Sequence, residues 1–181
     1  MKPKRKNNGR CPGLDPYGTG DIPENLLVAL GGRRENVLNA WRQGALAEVP
    51  TGVAFDVLRM PEGLAPFVLA RMREDGVQLG PVLLGPHGAE FLIRTHTMWD
   101  LTPDDKHVKL LSEGQLVLLP PPTVLAPRAE VGKRAWLVPL TYHPADCPVG
   151  HGVAWGAEMR ESYEAALADF AKVAAASSSE G

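Results

Sequence analysis

Three stretches of this chain carry residue types able to do chemistry. In "YHPADCPVGH", His143, Cys147 and His151 follow one another at intervals of four residues. Together with Cys11 they would offer the nitrogen and sulfur donors of a tetrahedral zinc site. The spacing matches no standard zinc pattern, and no third group orients a Cys/His nucleophile pair. A histidine-bearing surface loop is the reading preferred, and neither a metal nor a cofactor is expected. In "TPDDKH" (102–107), Asp104 and Asp105 are adjacent acids, read first as a helix-starting turn and only second as ligands. The first ten residues hold Lys2, Lys4, Arg5, Lys6 and Arg10 and no acid. Such an arm can track phosphates, with affinity that falls steeply with salt. It lacks interleaved aromatics, so base stacking is not indicated. These five cations are the candidate nucleic-acid-binding residues, with solubility or a weak tether as the plainer role.

The elements that must position such groups follow from apolar spacing. Residues 1–21 hold too little apolar surface to fold alone and read as a flexible basic arm. Asp21 resembles an N-cap for a short helix bearing Leu26, Leu27 and Leu30, ended by Gly31-Gly32. "RENVLNAWRQGAL" places Val37, Leu38, Trp41 and Ala45 at helical spacing. "GVAFDVLRM" (52–60) alternates as a strand, and "PEGLAPFVLARMREDG" (61–76) reads as a helix with Pro66 in its first turns. "GPVLLG" and "AEFLIRT" predict a hairpin around "PHG", and "HVKLL" with "QLVLLP" a second around Ser112-Glu113-Gly114. "AWLVPL" (135–140) is a further strand. A last helix over 155–175 aligns Met159, Tyr163, Ala166, Leu167 and Phe170 on one stripe, with Glu158, Glu161, Glu164 and Asp169 on the solvated side. The expected fold is α+β: one domain over 22–176, with a mainly antiparallel sheet of five or six strands, helices packed on it, and a frayed tail at 177–181.

Composition narrows the function classes. The 181 residues are 44% hydrophobic and 22% charged with a net charge of −2, so no global charge calls for nucleic acid or an anionic membrane. No apolar run reaches the roughly 18–20 residues that span a bilayer, and the basic start lacks the apolar stretch of a secretory signal. Two cysteines make no disulfide framework in a chain of this length. The expectation is a cytoplasmic protein with reduced thiols and no membrane partner.

Three stretches in order then carry a resemblance. "TGVAFDVLRMP", "GPHGAEFLIR" and "VKLLSEGQLVLLPPP", followed by Trp136 in "RAWLVP", resemble the bifunctional primase/polymerase domain of the archaeo-eukaryotic primase superfamily. The similarity is greater to short actinobacterial proteins named after that domain, and it covers about residues 35–140. In that family the first strand ends in an Asp-x-Asp metal pair. Asp56 keeps the first position and Leu58 occupies the second. Phe91 falls where the family carries a phosphate-contacting histidine. Lys109 stands in a metal-ligand position at the start of the third motif.

Two-metal nucleotidyl transfer needs hard oxygen ligands. One carboxylate cannot replace three, and a lysine beside the cation costs several kcal/mol at an effective dielectric of about 20. The resemblance therefore implies vestigial positions at Asp56, Leu58, Phe91 and Lys109. Lys109 is expected either to pair with Asp56 or, equally, to stand as a solvent-facing strand residue, and Phe91 is expected to be buried. The implied function is a catalytically degenerate primase/polymerase-like domain acting as a non-enzymatic binding or regulatory module, related to DNA replication. An active nucleotidyl transferase using Asp56 with substitute carboxylates is the first alternative. A protein-interaction domain using the exposed end of the sheet and the last helix is the second.

Overall fold

The structure, a computed structural model, describes residues 34–53, 55–77, 79–95, 108–139 and 156–178. The basic arm, the Asp21 helix, Asp104, Asp105, Cys11, His143, Cys147 and His151 lie outside the described residues. The elements in chain order are α1 (Arg34–Arg42), β1 (Ala47–Pro50), β2 (Phe55–Met60), α2 (Ala65–Glu74), β3 (Val82–Gly85), β4 (Gly88–Arg94), β5 (Lys109–Leu111), β6 (Leu116–Leu119), β7 (Ala135–Val138) and α3 (Gly156–Ser178). The fold is α+β. Five strands form an antiparallel sheet in the order β5-β2-β4-β3-β7, and β1 pairs with β6 in a separate antiparallel ribbon.

Strand alternation divides the core into two layers. On one face of the five-stranded sheet Phe55, Val57, Leu83, Leu92, Leu111 and Trp136 pack under α1 and the ribbon, which contribute Val37, Leu38, Trp41, Val49, Val117 and Leu119. On the other face Leu58, Met60, Val82, Phe91, Ile93 and Val138 pack under α2 and α3. Two indoles lock the first layer. The Trp41 ring N–H donates to the Leu119 carbonyl at 3.1 Å, and that of Trp136 donates to the Pro120 and Pro121 carbonyls, each at 3.2 Å. The proline run after β6 offers carbonyls that no strand partner takes; the Trp136 donor satisfies that of Pro120 and shares that of Pro121 with the Val124 N–H.

The second hairpin differs from expectation. β5 and β6 do not pair with each other; β5 joins β2, and β6 joins β1 in the other sheet. Ser112-Glu113-Gly114 is a corner between sheets. The Thr51 hydroxyl fastens it by donating to the Ser112 carbonyl, and the Thr51 N–H donates to the Gln115 carbonyl at 3.0 Å. The corner is imposed by β1, whose inward Ala47 and Val49 need a partner strand beneath α1.

Local signals explain the helices. α1 stops near Gly44, whose φ of +68° suits glycine. α2 ends in a Schellman motif: the Gly76 N–H donates to Arg73 and the Val77 N–H to Met72, with Gly76 at φ +69°. The Ser162 hydroxyl donates to Asp75 at 2.8 Å, tying α3 to that end of α2, and the Phe67 and Phe170 rings meet edge to face at 5.6 Å. α3 buries Met159, Tyr163 and Ala166 as its stripe predicts, and runs on to Ser178. Among the described residues no helix is long and apolar enough to cross a membrane.

Candidate functional site

The register of the sheet settles where the four resemblance positions lie. Leu58 sits directly opposite Phe91 across β2 and β4, and Asp56 opposite Ile93. All three of Asp56, Leu58 and Phe91 point to the face covered by α2 and α3, at 0%, 0% and 2% exposure. The burial expected of Phe91 is what the structure has. Lys109 is different. It pairs with Arg59, not with the residue positions of Asp56 or Leu58, and is exposed. Directly opposed residues of an antiparallel pair share a face, and Arg59 is an odd number of residues from Asp56. Lys109 and Asp56 therefore lie on opposite faces and form no ion pair; of the two readings of Lys109, the solvent-facing strand residue is the one the structure has. The cause is a register in which Leu110, not Lys109, faces Leu58.

The polar cluster that does form was not anticipated from the sequence. Glu90 follows Gly88-Ala89 in β4 and shares a face with Leu92, at 0% exposure. Arg59 lies opposite it on β2 and delivers two N–H groups to Oε1, from Nε at 2.9 Å and from Nη2 at 2.8 Å. Arg134 approaches from the start of β7, with Nη1 at 2.6 Å from Oε2 and Nη2 at 3.4 Å from Oε1. A tight turn brings Arg134 there: Val131 and Arg134 bridge each other around Gly132 and Lys133, both at positive φ. Two positive φ values in a two-residue turn match the twist of the flanking strands. For Lys133, at φ +60°, that conformation costs on the order of 1–2 kcal/mol. Gly85 leaves room for the Arg134 guanidinium, whose Nη1 would lie 3.2 Å from a side-chain carbon at that position.

The charges do not balance within this cluster. Two guanidinium groups share one carboxylate, and Lys109 stands next to Arg59 on the same face. The side chain of Arg59 is 21% exposed and that of Arg134 is 6% exposed. A groove of about 490 Å³ runs beside the cluster, between Gly85 at the end of β3 and the segment bearing Pro127, Arg128 and Lys133. A second hollow of about 300 Å³ lies between α1 and β1, at Val37, Ala40 and Leu46.

One signal could have revealed Glu90: a lone acid at an inward position of an otherwise apolar strand needs a buried cation. Arg59 answers the same alternation in β2. Arg134 carries no such mark, because its approach depends on a turn whose shape the sequence does not declare. The chain matches no family model, no curated protein and no solved structure.

Proposed function

We propose that the chain is a catalytically degenerate primase/polymerase-like domain that acts as a non-enzymatic binding or regulatory module. The reading rests on the three ordered motif stretches and on one observation above all. The face carrying Asp56, Leu58 and Phe91 is filled by apolar side chains and roofed by α2 and α3, with Leu58 and Phe91 packed opposite each other. A nucleotidyl transferase needs open, hydrated room beside its carboxylates for a triphosphate and its ions. Leu58 supplies no ligand, and Lys109 projects from the other face.

Template extension with labelled nucleotides and Mn²⁺ tests this, alongside melting curves in Mg²⁺ or Mn²⁺. The expected result is no extension and no metal-dependent rise in Tm, since a ligand stabilises only the state that binds it. Extension, or a saturable rise abolished by Asp56→Ala, would return the chain to the active nucleotidyl transferases. The module's DNA contacts, in this reading, come from Lys2, Lys4, Arg5, Lys6 and Arg10. Deleting residues 1–10 then lowers single-stranded DNA affinity and flattens its salt slope by about 0.7 per lost phosphate contact.

A further inference from the structure

We propose that the Lys109–Arg59 rung of the five-stranded sheet is a binding site for a phosphate group. The site is independent of the reading above, because it lies on the sheet face opposite Asp56, Leu58 and Phe91. Like charges directly opposed across two strands repel and are ordinarily avoided. Here an edge strand places Lys109 opposite Arg59, and among the described residues no carboxylate pairs with Lys109. The carboxylate that Arg59 engages, Glu90, is fully buried and already shared by Arg59 and Arg134. Among the described residues three cations face one anion, so a bound anion would relieve the repulsion where no described group does.

Arg59 is prepared for the task. Glu90 grips it by Nε and Nη2, which fixes the plane of the guanidinium, and leaves Nη1 unused by the carboxylate. With 21% of its side chain exposed, Arg59 reaches solvent beside the exposed Lys109. A planar donor held in place next to a mobile ammonium matches the tetrahedral oxygens of a phosphate, where both make short charge-assisted bonds. Glu90 acts as the positioning residue: it holds the Arg59 guanidinium, is itself anchored by Arg134, and does not meet the ligand.

The phosphate could be free or part of a nucleic-acid backbone, and the test separates these sources. Melting curves of the full chain at low ionic strength are recorded with inorganic phosphate and with chloride at matched ionic strength. Phosphate is expected to raise Tm saturably and chloride is not. Lys109→Glu, and as a milder change Lys109→Gln, should weaken the phosphate effect about tenfold or more, while the charge control Arg73→Glu, at an exposed position of α2, leaves it unchanged. Lys109→Glu should also raise Tm without phosphate, because it turns a repelling rung into an attracting one. Binding of a short single-stranded oligonucleotide lacking terminal phosphates supplies the second arm. If Lys109→Glu weakens it, backbone phosphate occupies the site; if oligonucleotide binding is unchanged while the inorganic phosphate effect is lost, the ligand is a free phosphate or monoester. Equal responses to phosphate and chloride, or Lys109 variants that respond as the unaltered chain does, overturn the proposal.

Discussion

Replacing Glu90 by Gln keeps the shape of the buried side chain and removes its charge. The carboxylate receives N–H groups at 2.6, 2.8, 2.9 and 3.4 Å from two arginines. After the change, the amide NH₂ of the new side chain opposes donors on at least one arginine. Removing one member of a buried ion cluster costs about 3–5 kcal/mol, chiefly because the remaining charge is left buried and unpaired. Arg59 can turn toward water from 21% exposure, so its share is discounted; Arg134, at 6%, cannot. The lower part of the range, about 3–4 kcal/mol, is therefore expected. For a domain of this size that is a fall in Tm of about 6–16 °C. Urea unfolding followed by fluorescence of the buried Trp41 and Trp136 measures it, with the midpoint lowered and the m-value unchanged. The triple variant Glu90→Leu, Arg59→Met, Arg134→Met should recover most of the loss, because no charge is then stranded. A Glu90→Gln loss below about 1 kcal/mol, or a triple variant less stable than the single one, would refute the account of Arg134 as a buried charge dependent on Glu90.

Phe91→Ala should cost about 3–5 kcal/mol in the same assay, since the ring is 2% exposed and packed opposite Leu58. Phe91→His should also destabilise, by placing a polar ring among apolar side chains, without creating nucleotide binding detectable by calorimetry. Trp136→Phe strips the buried Pro120 carbonyl of its donor, while the Pro121 carbonyl keeps the Val124 N–H, and should cost about 1–3 kcal/mol. On α3, the hydrogen bond and charge of Lys172 hold the Asp169 carboxyl below the usual carboxylate range. A lowered folded pKa means that any stability gained is present at neutral pH and is lost as pH falls through that value. The carboxyl is half exposed, so the signature to look for is its titration by NMR, which Lys172→Gln should move upward.

Much of the architecture was legible because apolar periodicity reports it directly. Phe55, Val57, Leu58 and Met60 declare β2, and Val37, Leu38 and Trp41 declare the buried face of α1. "PHG" between two apolar runs marks the tight connection from β3 to β4, where Gly88 sits at φ +113° against the Met60 carbonyl. Two failures share a physical origin. "LSEGQ" has the chemistry of a hairpin turn, but pairing depends on which strands compete for each edge, and β1 was hidden in "AEVP", four residues ending in proline. The Lys109–Asp56 pair failed through register, which a single strand's composition does not encode: a shift of one residue exchanges the faces of the whole strand. The Glu90 cluster joins residues from β2, β4 and the β7 turn, and only the sheet order brings them together.

The ribbon has a consequence for how the chain assembles. β1 and β6 enclose all of β2, α2, β3, β4 and β5 in one loop, whereas β3 and β4 meet across a two-residue turn. Closing the larger loop early would surrender chain entropy before any neighbouring contact repays it. The β3–β4 hairpin can therefore nucleate, β2 can add to it, and the ribbon clasps α1 onto an already assembled sheet. A late clasp is also an early one to open, so the amides of β1 and β6 mark the first cooperative unit to be lost when the native state fluctuates.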